Sequence, residues 1–263
     1  MTKRFHAGRA SQSGVIAAYF AQRGFTGSLD VLEAPFGGFM STLRGQSDPS
    51  TILDDLGGSW ETARVGLKAY AACASAHTII DGIRELRGRG LSAANLEQLT
   101  IRMSRKGQVN VGWPYRPMDI ITAQMNGSYA AAVTLIDGDA FIDQYEETRL
   151  ADRQILALLP LIKIVHDPEL DKGGAAKRHA VKIDAALKDG AVLSAFVEQR
   201  RGSAEHPLST IEIEKKFRRL AALSLSEAAM DEVIDLVSRL EAQADLTRLV
   251  ALMTTSRSRR AAP

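Results

Sequence analysis

Leu67-Lys68-Ala69-Tyr70-Ala71-Ala72-Cys73-Ala74-Ser75-Ala76-His77-Thr78-Ile79-Ile80-Asp81 is the stretch on which the reading of this chain turns. It places a lysine, the only cysteine and a histidine on small-residue backbone, just ahead of an apolar pattern. Ile79, Ile80, Ile83 and Leu86 recur at helical spacing, and Gly88 and Gly90 end the run. Small side chains let a ligand approach the backbone, and lysine and histidine can bind or protonate an anion. By spacing alone, a helix start with a solvated lysine and a satisfied core histidine is the stronger reading. The rest of the chain has to decide.

Towards the N-terminus, residues 9–23 read as a helix of small and apolar residues (Ala10, Gly14, Val15, Ala18, Tyr19), with Gly24 as its C-terminal cap. Phe25 to Gly27 is a turn, and Leu29 to Leu32 is a short apolar stretch. Pro35 to Phe39 is a breaker with aromatic anchors, the kind of loop that lies near a cleft. Residues 44–59 are polar and rich in Gly, Ser and Asp, which reads as a linker.

Towards the C-terminus, Leu99, Ile101 and Met103 alternate with polar residues as in a half-buried strand. A loop holding Trp113 and Tyr115 follows, and both rings are expected to pack it. Ile120 to Ile136 reads as one helix, Leu150 to Leu159 as a shorter one, and Ile162, Ile164 and Val165 as a second strand. Val181, Ile183 and Leu187, then Asp189-Gly190, then Leu193, Phe196 and Val197 predict a hairpin with a type I′ turn. Ser209 to Glu212 fits a capping box. Beyond it, Met230, Val233, Ile234, Val237 and Leu240 form an amphipathic stripe, repeated by Leu246, Leu249, Val250 and Met253. The expected class is α+β: an all-α part made from both chain ends, with an inserted α+β lid domain. The expected boundaries are 1–58, 59–207 and 208–263.

Bulk properties exclude several classes. The 263 residues are 45% hydrophobic and 24% charged, as in a soluble globular protein. A net charge of +2 is too small to argue for a nucleic-acid partner. One cysteine makes no internal disulfide, which fits a reducing cytoplasm. There is no apolar run of membrane-spanning length and no signal-peptide core, so no membrane partner is expected. The five histidines are scattered, and neither metal-ligand spacing nor a Gly-rich phosphate loop occurs, so no metal site is expected.

Several stretches, in order, resemble the MmgE/PrpD family, whose members include 2-methylcitrate dehydratases, cis-aconitate decarboxylases and iminodisuccinate epimerases. They are Lys3 to Gly14 with His6 inside it, Gly24 to Gly27, Leu32-Glu33, Gly38-Phe39, and Lys68 to Asp81. Tyr129 to Val133, Asp137-Gly138, Pro207 to Ser209 and Lys216 to Arg218 complete the series. The resemblance is to the C-terminal part of the family and implies a dimer with no obligate organic cofactor. It also implies a pocket for a small polycarboxylate, with Lys3, His6, Lys68 and His77 as catalytic residues and Lys68, Cys73 and His77 binding substrate. The implied chemistry is proton abstraction beside a carboxylate with elimination of water, as in a lyase, with epimerisation or decarboxylation as alternatives. Cys73 stands where decarboxylase-type members carry a histidine, which argues against decarboxylation. Family members are much longer, so the chain is also expected to be truncated. It would then act as a homodimer or with a missing helical half, or be a catalytically incomplete partner subunit or remnant.

Overall fold

The computed structural model describes residues 2–43, 54–174 and 177–254. The chain separates into two compact units, Met1–Glu61 and Thr62–Pro263. Most of the expected linker, residues 44–53, and the basic tail from 255 lie outside the described residues.

The first unit holds helix α1 (Thr2–Gln22) and the short helix α2 (Phe39–Leu43). Helix α1 begins earlier than the small-residue pattern suggested. The Gly24 amide donates to the Ala21 carbonyl, closing the helix where the cap was expected. Every residue from 5 to 22 is exposed. Phe36 and Phe39 are 97% and 58% exposed, so neither works as an anchor among the described residues.

The second unit runs α3 (Ala74–Gly88), β1 (Leu96–Met103), α4 (Arg105–Val111), α5 (Ile120–Gln124), α6 (Gly127–Asp137), α7 (Glu147–Leu150) and α8 (Arg153–Leu158). Then come β2 (Ile162–His166), α9 (Pro168–Asp171), β3 (Val181–Leu187), β4 (Val192–Val197), α10 (Thr210–Ala221), α11 (Glu227–Ser238) and α12 (Thr247–Thr254). The sheet order is β2-β1-β3-β4. Strands β1 and β2 are parallel, which requires the helical crossover α4–α8 between them, and the other two pairings are antiparallel. Helix α3 packs on β3 and β4, α6 packs on β2, and the two helices pack on each other. The core closes where the α3 stripe (Ile79, Ile80, Ile83, Leu86) meets Leu99 and Ile101 of β1 and Val181 and Ile183 of β3, all fully buried.

Three local expectations need correction. The run from 120 to 136 is two helices, because Asn126 takes an extended conformation (φ −110°, ψ 123°) and its side chain accepts from the Tyr129 amide, capping α6. The run from 150 to 159 is interrupted in the same way by Asp152, whose carboxylate caps α8 by accepting from the Gln154 amide. The hairpin forms as expected, but its turn is not type I′. Only Gly190 has positive φ (+87°), and the Gly190 amide donates to the Leu187 carbonyl, as in a type I turn followed by a left-handed glycine. On the return strand Ala195 faces the core, and Phe196 is 53% exposed.

The capping box at Ser209 and Glu212 is present, and the stripes fall on α11 and α12. Met230, Val233 and Leu252 are buried, whereas Val237, Leu246, Val250 and Met253 are about half exposed. The hydrophobic surface of these helices is therefore only partly covered among the described residues. Ile83→Ala should lower the unfolding free energy by about 3 kcal/mol, the usual cost of a large-to-small change at a closed core site. Urea denaturation checks this, and a loss below about 1 kcal/mol would place Ile83 outside the cooperative core.

Candidate functional site

Small residues at 69, 71, 72, 74 and 76 let the backbone ahead of α3 run close to its neighbours. The Ala71 amide donates to the Ala140 carbonyl at 3.1 Å, and the Cys73 amide to the Gln124 carbonyl at 2.7 Å. Cys73 is the N-cap of α3 but makes no side-chain capping bond, and its thiol is partly exposed. Exposed Lys68 curls back so that Nζ donates to the Ala72 carbonyl at 2.9 Å. An ammonium has three protons, so one such bond leaves donors free for an anion.

The loop after β4 closes over this segment. Gly202 has φ +86°, and a Cβ there would lie 2.0 Å from the Leu67 carbonyl oxygen. Only glycine fits that contact, which brings the residue before Lys68 against the loop carrying Arg200 and Arg201.

His77 sits in the first turn of α3 and is fully buried. Its ring stands edge-on to Tyr70, with centroids 5.2 Å apart at 71°. Neither ring nitrogen has a partner at full hydrogen-bond geometry among the described residues, and nor does the buried Nη1 of Arg200. Burial pushes the His77 pKa down to about 3, the charges of Lys68, Arg200 and His179 act the same way, and the Ala72 backbone opposes them. The imidazole is therefore neutral at pH 7. Tyr70 donates its hydroxyl to Asp81 at 2.5 Å, and the second Asp81 oxygen accepts from the Arg201 amide at 3.0 Å. The Arg201 guanidinium pairs with Glu212 of α10.

A second imidazole joins from the turn before β3. Arg178 Nε donates to His179 Nε2 at 3.1 Å, so in the neutral ring the proton sits on Nδ1 and is given to Ser75 Oγ, 3.2 Å away. Asn110 Nδ2 also donates to Ser75 Oγ, at 3.2 Å, so the serine proton remains available to a further acceptor. Burial, Arg178, Arg200 and Lys106 hold the His179 pKa down to about 4.

The second unit thus brings together Lys68, Cys73 and His77, and adds Ser75, Asn110, His179 and Arg200, which sequence reading did not single out. Lys3 and His6 belong to helix α1 of the first unit, where the His6 ring is exposed. Trp113 and Tyr115 pack the loop as expected: Trp113 donates to the Asn110 carbonyl at 3.3 Å and Tyr115 to the Leu150 carbonyl at 3.0 Å. Among the described residues no group of three or more His, Cys, Asp or Glu side chains could hold a metal ion, and no helix is long and apolar enough to cross a membrane.

The buried imidazoles carry a pH signature. Both pKa values are lowered on folding, so below pH 6.5 the unfolded chain binds more protons than the native one, and stability falls as pH falls. Between pH 6.5 and about 4.5, above the carboxylate range, His77 alone should contribute a slope of up to about 1.4 kcal/mol per pH unit. Denaturation across that window should show a shallower slope for His77→Gln than for the parent. Equal slopes would mean that His77 is not held neutral.

Residues 70–241 match the MmgE/PrpD C-terminal domain, and residues 1–51 match the MmgE/PrpD N-terminal domain, so the likeness extends beyond the C-terminal part. The cis-aconitate decarboxylase of Aspergillus terreus is 28% identical over 96% of this chain and 54% of its own length. The cis-aconitate decarboxylase-like protein oryM of Aspergillus oryzae is 26% identical over 97% of this chain and 55% of its own length. The Homo sapiens cis-aconitate decarboxylase is 26% identical over 96% of this chain and 53% of its own length. The chain spans about half the length of these curated relatives. With one domain match covering most of it, the chain belongs to the MmgE/PrpD family.

Proposed function

We propose that the start of α3 and the loop after β4 form one wall of a pocket for a small di- or tricarboxylic acid. The reaction we assign is that of an MmgE/PrpD-type lyase, removing a proton beside a carboxylate and expelling water, as 2-methylcitrate dehydratases do. The observation that carries this reading is the buried Arg200 Nη1, which has no partner among the described residues and whose charge acts on a buried His77 lacking a partner at full hydrogen-bond geometry. A buried guanidinium nitrogen left open needs an acceptor, and a planar carboxylate fits that donor geometry.

The charges suggest a division of labour. Lys68 and Arg200 bind carboxylate oxygens and stabilise the enolate-like charge that builds up as the proton leaves. The same cations, with burial, suppress protonation of His77. A bound polyanion offsets them and raises the proton affinity of the ring, so His77 becomes a competent base only with substrate beside it. Cys73, at the N-cap of α3, supplies a partly exposed thiol to this wall.

A second reading, decarboxylation of cis-aconitate, is favoured by the names of the relatives. Both reactions leave negative charge on carbon within reach of the same cations, so this wall suits either. Cys73 is the residue that separates them on the family pattern. Epimerisation, and a catalytically incomplete chain that only binds, use the same wall.

Calorimetric titration of the purified chain with citrate and with cis-aconitate tests the wall directly. Lys68→Ala and Arg200→Ala should each weaken binding by about tenfold or more, the scale of one charge-assisted hydrogen bond. Lys68→Ala should leave the melting temperature in place, because the residue is exposed. Unchanged affinity in both variants would remove this wall from the site. Product analysis with 2-methylcitrate, citrate and cis-aconitate then separates loss of water from loss of carbon dioxide.

A further inference from the structure

A cleft of about 350 Å³, with Tyr70 in its lining, opens between α10 and α3 with the loop after α6. Its volume lies in the range of small-ligand sites. Five cations line it against two carboxylates, and the pairing among them is uneven. Asp139 is shared by Arg84, at 3.6 Å, and Arg219, at 2.7 Å. Glu212 is held by Arg201 and by the Ser209 cap. Arg219 also reaches Asp143 at 2.8 Å and lies over the Phe141 ring, 4.3 Å from its centroid. Asp81, behind the lining, is taken up by Tyr70 and the Arg201 amide. Asp139, Asp143, Glu212 and Asp81 are thus all engaged. Lys215 and Lys216, on consecutive positions of α10, face the same cleft and make no ion pair among the described residues.

We propose that this cleft is a second anion site, binding a small polyanion with two or more adjacent charged groups through Lys215 and Lys216. The arginines around it are fixed by their carboxylates, so the wall is preorganised and the two lysines supply the free donors. The half-buried position of Lys216 is then explained by the ligand it serves. Phosphates and carboxylates share this chemistry. Its lining includes none of Lys68, His77 and Arg200, and the proposal does not rest on the reading of the His77 wall.

The test is calorimetric titration of the whole chain at low ionic strength with pyrophosphate and, separately, with citrate. Pyrophosphate binding would mark a phosphate ligand, and a citrate event whose affinity Lys68→Ala leaves unchanged would mark a carboxylate ligand at this cleft. In either case the affinity should fall by about tenfold or more in the Lys215→Gln/Lys216→Gln double variant and be kept in Lys215→Arg/Lys216→Arg. Affinity for both anions unchanged in the glutamine double variant would overturn the proposal. So would no binding of either anion, or loss of all anion binding in Lys68→Ala alone.

Discussion

A buried imidazole and a buried guanidinium nitrogen feel each other's charge in the second unit, and neither has a partner at full hydrogen-bond geometry among the described residues. Leaving one buried polar group unsatisfied costs about 1–3 kcal/mol, so the surrounding structure must hold both in place against that cost. The means are visible. His77 is held by full burial against the Tyr70 ring, in the first turn of a helix anchored in the core by Ile79, Ile80, Ile83 and Leu86. Arg200 cannot retreat either, because Gly202 seats its loop directly on the Leu67 carbonyl. On the proposed reading, the fold gives up stability to keep an anion-binding surface open, as expected where unsatisfied groups serve a site.

A polar chain ties that surface to the helices that end the unit. Tyr70 packs its ring on His77 and gives its proton to Asp81, Asp81 accepts from the Arg201 backbone, and Arg201 pairs with Glu212 in the first turn of α10. Burial and the Asp81 charge push the Tyr70 hydroxyl well above its ordinary pKa, so it stays a donor. Glu212 is held down to about 2 by the Ser209 backbone and by Arg201, so it stays an acceptor. One carboxylate thus closes the capping box of α10 and anchors the loop that carries Arg200.

What the sequence made legible was local. The start of α3, the capping box at Ser209, the Asp-Gly hairpin and the stripes on α11 and α12 all follow from residues within a few positions of one another. The misreadings were local as well. An apolar run hid the Asn126 cap that splits α5 from α6, and an Asp-Gly pair was given two left-handed residues where Gly190 alone supplies one. Lys68, Cys73 and His77 stood out because they share one short segment. Ser75 meets His179 across 104 positions and Asn110 across 35, and no spacing rule reaches that far. Arg200 carried no signal in the sequence, because burial, which gives it meaning, is a tertiary property.

The central claim is that His77 and Arg200 wait for a polycarboxylate. The most direct measurement is the pKa of the His77 ring by nitrogen NMR, with the free chain and with saturating citrate. The account predicts a value far below that of a solvated histidine in the free chain and a clear rise on binding, as the carboxylates offset Lys68 and Arg200. An ordinary histidine value in the free chain, or no change when citrate binds, would contradict it.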